Sequence, residues 1–437
     1  MNLTKKEFKE ALLRGQGRCI PALRRDPEKY RPILLWACGQ PIAFDVQCEG
    51  TRAWFLYQLL RFYGDQEPFL TAAIESFRKA TSDGGWKMLY LAELLAQWAY
   101  DGKQAASDAL WTKYEALYAA LLGKKRPPEG IFPERDDFAM LCQVLADHKD
   151  TMVRIAEDIG HLYLATPFYD GFDFQWLFDD KAKKYMKTLQ KQAQTSPEVA
   201  AYLQYGKARQ EEVAQRCQGR STEPERTLSK RALSVWLRRK ADPQTVLKYA
   251  EAYLAQTDPA RRAEALSAFS RCPFPGDPAP ILADAQSGQK ALQTAAWEAL
   301  ENIRHPAVRQ LALAWLERDM EAALPVLMAN YQPEDEAMLT ALVTKIPVVF
   351  QENTNWHGIH GDILAMEDHG KHAPAALLRH IYETTYCSCC REYALRQMGK
   401  RRLLGDEILE ECLLDSNDDI RAYAMSILRR RQKRQHP

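Results

Sequence analysis

Arg391-Glu392-Tyr393-Ala394-Leu395 is echoed thirty residues later by Arg421-Ala422-Tyr423-Ala424-Met425, and Met398 falls opposite Leu428. A recurrence at a fixed offset of this size marks a chain built from stacked supersecondary units. Each unit is a helix pair that cannot bury its apolar face alone and must lean on its neighbours. The pattern predicts an all-α chain, an α-solenoid of stacked antiparallel helix pairs with little or no β-sheet.

Outward from this stretch, helical signals continue towards the N terminus. In the segment from Leu89 to Tyr100 the apolar residues Leu91, Leu94, Leu95 and Trp98 recur at helical spacing. Asp101-Gly102 breaks the pattern, and a second helix runs from Ala105 to Leu122 with Leu110, Tyr114, Leu117 and Leu121 inward. Gly123 ends it, and residues 124–130 read as a loop. Helix, tight turn, helix is an αα-hairpin. Residues 1–180 form an aromatic-rich helical-hairpin region that includes Trp36, Trp54, Trp86, Trp98, Trp111 and Trp176. Residues 181–240 read as a basic helical connector, with Thr195-Ser196-Pro197 and Gly219-Arg220-Ser221-Thr222 as breaks. The repeat region is 241–437, with a His/Cys-rich insertion at 351–390.

The fullest repeat signature is Asp415-Ser416-Asn417-Asp418-Asp419-Ile420-Arg421-Ala422-Tyr423-Ala424. Asp419 suits the N-cap of the second helix of its unit. Related phrases recur at Arg262-Ala263-Glu264-Ala265-Leu266, Leu292-Gln293-Thr294-Ala295-Ala296 and Val308-Arg309-Gln310-Leu311-Ala312. This D-x-x-x-D-[IV]-R-x-x-A pattern resembles the HEAT-like repeats, in particular the short bacterial form also found in phycobilisome lyases. The resemblance implies an α-solenoid with a concave face for partners. It implies no reaction, because function has to be argued from sites.

Net charge is +1, but its distribution is uneven. From Lys181 to Lys240 fifteen Lys and Arg stand against five Glu and no Asp, a local net of +10. Arg429-Arg430-Arg431-Gln432-Lys433-Arg434 closes the chain with a second basic run. Such asymmetry suits an anionic partner. The candidate nucleic-acid contacts are Lys230, Arg231, Arg238, Arg239, Lys240, Arg429, Arg430 and Arg431. No apolar run reaches the roughly 18–20 residues of a membrane span. The first residues, Met1-Asn2-Leu3-Thr4-Lys5-Lys6, carry early charges and no apolar signal core. The expectation is a chain of a reducing cytoplasm with no membrane partner, whose ten cysteines are no disulfide framework.

One constellation has the makings of chemistry. Five of the nine histidines lie between positions 357 and 380, and Cys387, Cys389 and Cys390 follow at once. Imidazole and thiolate are preferred zinc ligands, and a His-x-x-His pair at i and i+3 can share a helical face. The candidate metal ligands are His357, His360, His369, His372, Cys387 and Cys389, with zinc as the ion they suit. Gly358, Gly361, Gly370 and Pro374 make the histidine stretch read as a loop between repeats. A shift of thirty sets Cys390 opposite the inward Ile420, so Cys390 reads as a small core residue. Cys387 and Cys389 fall in the inter-helix turn near a helix N terminus, which favours thiolate.

Elsewhere there is no P-loop, no G-x-G-x-x-G, no G-x-S-x-G and no H-E-x-x-H. No histidine is followed by glutamate, which sets aside the His-Glu dipeptides that the HEAT-like deoxyhypusine hydroxylases use for iron. Cys19 lies in a glycine-bearing turn beside Arg18, where either a lowered thiol pKa or simple burial is open, burial being favoured. Cys48 has Asp45, Glu49 and Arg52 close by at a helix start, a setting that suits capping and bracing of the helix over acid–base catalysis. The leading expectation is a non-enzymatic scaffold, with no catalytic residues and no cofactor, holding a partner protein on a concave face. The alternatives are a nucleic-acid-binding protein and a metal-binding module or metal-dependent enzyme at 357–390.

Overall fold

The computed structural model describes residues 2–45, 49–81, 86–122, 133–165, 174, 177–219, 229–350 and 355–435. Cys48, Trp176, the 124–130 loop and the Arg220-Ser221-Thr222 part of the second connector break lie outside them. Among the described residues the regular structure is all helical, with no strand. No described helix is long and apolar enough to cross a membrane.

Helix starts follow local chemistry. Thr4 and Glu7 close a capping box on Lys5–Arg14. Asp26, Asp242 and Asp258 each cap a helix whose first residue is proline, accepting from the backbone N–H three residues on. This Asp-Pro device meets one orphan donor with a carboxylate and places at the first position a residue with no donor to lose. Lys87–Tyr100 and Gln104–Leu122 form the expected hairpin and pack together, with Leu91, Leu94, Leu95 and Trp98 buried on the first helix and Leu110, Tyr114 and Leu121 on the second. Leu117 is half-buried.

Contacts divide the chain into two compact units, Met1–Arg220 with Gly405–Pro437, and Ser221–Leu404. In the first unit the C-terminal segment packs on the N-terminal helices. Ser416 N–H donates to the Gly15 carbonyl at 2.9 Å, Arg18 pairs with Glu411 at 2.9 Å, and the Arg421 guanidinium lies over the Trp54 ring. Gly15 has φ +69°, a left-handed turn, and a Cβ on Gly17 would meet the Glu411 carbonyl oxygen at 2.2 Å. The same junction buries a charge pair. Arg52 reaches Glu49 at 3.1 Å and also donates to the Leu12 and Leu13 carbonyls, while Glu49 accepts from Phe44 N–H. Both side chains brace the fold, as their sequence setting suggested.

Helices also run through the second unit. Residues Trp356–Leu364 form an α-helix and Ala365–His369 a 3-10 turn, so His357, His360 and His369 are helical and not in the loop the glycines suggested, whereas residues 371–374, with His372, are irregular. The physical reason is periodicity. Trp356, Ile359, His360 and Ile363 recur at helical spacing and are buried, while Gly358 and Gly361 face open space where a missing side chain costs no packing. Gly370, at φ +69°, then closes the turn.

Candidate metal centre

The Ala375–Thr384 and Ser388–Lys400 helices pack as a pair joined through residues 385–387. Cys387 is the N-cap of the second helix, in extended conformation at φ −76° and ψ 118°. Its N–H donates to Thr385 Oγ1 at 3.3 Å, and its carbonyl accepts the first helical hydrogen bond, from Arg391 N–H. Thirty residues on, Asn417 takes the same place, its side-chain oxygen accepting from Asp419 and Ile420 N–H. The cap of that helix is therefore Asn417, and Asp419 lies inside its first turn. The offset read from the sequence thus sets N-cap against N-cap, with a thiol where the helix thirty residues on has an amide.

An N-cap side chain and the residue three further on meet over the open end of a helix, the geometry that a capping box exploits. Here those residues are Cys387 and Cys390. The Trp356–Leu364 helix packs on both members of the pair, and Gln397 Nε2 ties the Ser388–Lys400 helix to it through the Leu364 carbonyl at 2.7 Å. Buried Trp356, donating to the Val349 carbonyl at 3.1 Å and in ring contact with Tyr386, fixes the first turn of that helix and with it His357.

A ring nitrogen of His357 and the sulfurs of Cys387 and Cys390 all lie within 4.8 Å of one another. The two cysteines are 5% and 8% exposed, whereas His357 is open to solvent. Hydrogen bonding with the Cys390 side chain, then with His357 and the Cys390 N–H, holds the Cys387 thiol well below the usual thiol range, against a burial that would raise it. Zinc–sulfur bonds are ~2.3 Å and zinc–nitrogen bonds ~2.0–2.1 Å, so two sulfurs on one tetrahedral ion stand roughly 3.8 Å apart. The observed spread accommodates that with small side-chain shifts. Three protein donors would leave a fourth position, on the side where His357 meets water.

Of the six sequence-predicted ligands, His357 and Cys387 come together; His360, His369, His372 and Cys389 do not join them. Cys389 is half-buried one step along the turn. His360 is buried in ring contact with Trp356 and His380, and burial, then the neighbouring imidazoles, depresses it to about 3. His369 lies among arginines elsewhere in the unit, and His372 is exposed. Cys390, read as core from its register with Ile420, is buried but belongs to the cluster. The sequence did carry a signal for it: Cys387-Ser388-Cys389-Cys390 contains a C-x-x-C pair at a helix start. Cys19, by contrast, is a packed thiol whose pKa burial drives up.

The basic residues are distributed over both units. Lys230, Arg231, Arg238 and Arg239 belong to the Lys230–Arg239 helix, Lys240 is its C-cap, and all five are exposed in the second unit. Arg429, Arg430 and Arg431 belong to Asp418–Gln435 in the first unit, where Arg430 bonds Ser426 and Arg431 pairs with Asp406. Comparison with protein-family models, curated proteins and solved structures finds no match to this chain.

Proposed function

We propose that this protein binds a thiophilic divalent metal ion, zinc by ligand class, through His357, Cys387 and Cys390. The observation that carries the reading is the convergence of these three donors from two helices within 4.8 Å. A bound ion would pin the Trp356–Leu364 helix to the N terminus of Ser388–Lys400, and its remaining position would face solvent and hold water or a ligand. Metal binding needs deprotonated thiols, and the N-cap position and the neighbouring donors favour that form at Cys387.

The test is competition against a chromophoric zinc chelator. The native chain should withdraw one zinc ion, C387S and C390S should each weaken binding by at least tenfold, and C389S and H372A should bind as the native chain does. Equal affinity in C387S, C390S and the native protein would refute the site. No metal uptake under reducing conditions, together with a Cys387–Cys390 disulfide formed on addition of a thiol oxidant, would recast the pair as a redox dithiol.

The wider architecture we read as HEAT-like stacked helix pairs that offer a face to a partner protein. What supports this is the thirty-residue register, which matches Cys387 to Asn417 at equivalent N-caps. A reducing compartment, the cytoplasm by this reading, fits the free thiols of Cys19, Cys38, Cys142 and Cys412.

A further inference from the structure

The second unit holds a cavity of about 660 Å³ that the metal reading does not use. Its wall brings together residues distant in sequence. Arg238 comes from the end of the Lys230–Arg239 helix and Arg271 from the turn after Ser267–Phe269. Glu301 follows the Lys290–Leu300 helix, and Arg304 lies in the turn before Pro306–Trp315. Asp362 is on Trp356–Leu364, and His369 ends the 3-10 turn. The volume falls in the range of small-molecule sites, ~300–1,000 Å³.

Among the described residues no ion pair joins the charges of this cavity, although Arg271 is near enough to act on Glu301. Among the described residues, the Arg238 and Arg271 guanidiniums make no ion pair and no hydrogen bond, and Arg304 donates only to the His369 carbonyl, at 3.0 Å. The carboxyls of Glu301 and Asp362 likewise have no hydrogen-bond or ion-pair partner among the described residues. Both are half-buried, and burial is the main cause that raises each to about 7, followed for Asp362 by the field of Glu301. His369 is lowered by burial first and then by the positive field of Arg304, with Asp368 opposing and Arg238 adding to it. Three guanidiniums with unused donors thus stand at one polar cavity with three carboxyls, the half-buried Glu301 and Asp362 and the exposed Asp368 at its edge.

We propose that this cavity binds a small phosphorylated polyol of sugar-phosphate or nucleotide size, its phosphate held by Arg238, Arg271 and Arg304 and its hydroxyls donated to Glu301 and Asp362. Guanidinium forks match phosphate oxygens two at a time, which a solvated surface lysine cannot do. The carboxyls reject a bare anion and reward a ligand whose second half carries hydrogen-bond donors. The cavity thereby selects a bipolar molecule and not a naked phosphate.

Calorimetric titration of the full chain with inorganic phosphate, ribose, ribose 5-phosphate and adenosine monophosphate tests this. One of the two phosphorylated ribosides should bind saturably at one per chain, at least tenfold tighter than inorganic phosphate and than ribose. R238A and R271A should each weaken that binding by about tenfold, the effect of losing a charged hydrogen bond. Both side chains are exposed and unpaired, so these variants should keep the native melting temperature. E301Q should weaken the riboside while inorganic phosphate binds as well or better, since one of the carboxyls that reject a bare anion is gone. Absence of binding at millimolar ligand, or affinity untouched in the R238A/R271A double variant, would overturn the assignment. Binding of a twelve-nucleotide single strand with none of the small ligands would overturn it as well, in favour of a nucleic-acid groove.

Discussion

Single residues show where sequence and structure part. Glycines at 358, 361 and 370 suggested a loop, yet two of them sit on the open side of a helix and only Gly370 makes a turn. Cys390 aligned with a core isoleucine and was read as core. Burial and ligation are compatible at the third residue of a helix, because that side chain reaches back to the N-cap. Register alone cannot separate the two roles. Glu93 carries the residue-scale prediction. It lies half-buried on Lys87–Tyr100, and burial raises it to about 8, with Lys181 opposing. The folded state keeps this proton when the unfolded chain has lost its own, at about 4.3. Glu93 therefore costs nothing below that value, and stability falls as pH rises through 8. Denaturation by urea at pH 5 and pH 8.5 should show E93Q removing a loss on the order of 3 kcal/mol. An unchanged pH dependence in E93Q would locate the effect elsewhere.

At the scale of elements, the sequence was most informative where periodicity and capping coincide. The helix pair 87–122 was legible because apolar spacing, an Asp-Gly break and a following restart all agree. The capping residue of the last helix was not, since Asn417, Asp418 and Asp419 are all good caps by type and only the backbone turn selects among them. Asn417 meets two free N–H groups, whereas Asp419 contributes through its charge near the helix dipole. Accordingly N417A should cost about 1 kcal/mol, and D419A a few tenths, in chemical denaturation. The opposite order would return the cap to Asp419. The half of the metal cluster that was legible, His357 and Cys387, came from local enrichment. The third donor, Cys390, was hidden by its register with a core isoleucine, although its C-x-x-C spacing from Cys387 at a helix start carried the signal.

For the whole molecule, the repeat joins residues on both sides of Leu404, whereas contacts assign 405–437 to the unit that contains the N terminus. That grouping has no local signature, because it depends on small residues making room for distant backbone. Gly17 is such a residue, standing against the Glu411 carbonyl and Leu414, whereas a Cβ on Gly64 would meet nothing within 4 Å. Overpacking a filled interface costs about 1–3 kcal/mol. G17A should therefore lower stability by at least that much and G64A should not, as read by chemical denaturation. Equal tolerance of both substitutions would argue against the packing of the C-terminal segment on this turn. The central claim, that His357, Cys387 and Cys390 form a metal site, is tested most directly by metal content. Mass spectrometry of the full chain, prepared without affinity tag or chelator, should find one equivalent of zinc-class metal per chain, lost in the C387S/C390S double variant. A metal-free native chain that also takes up no zinc under reducing conditions would contradict it.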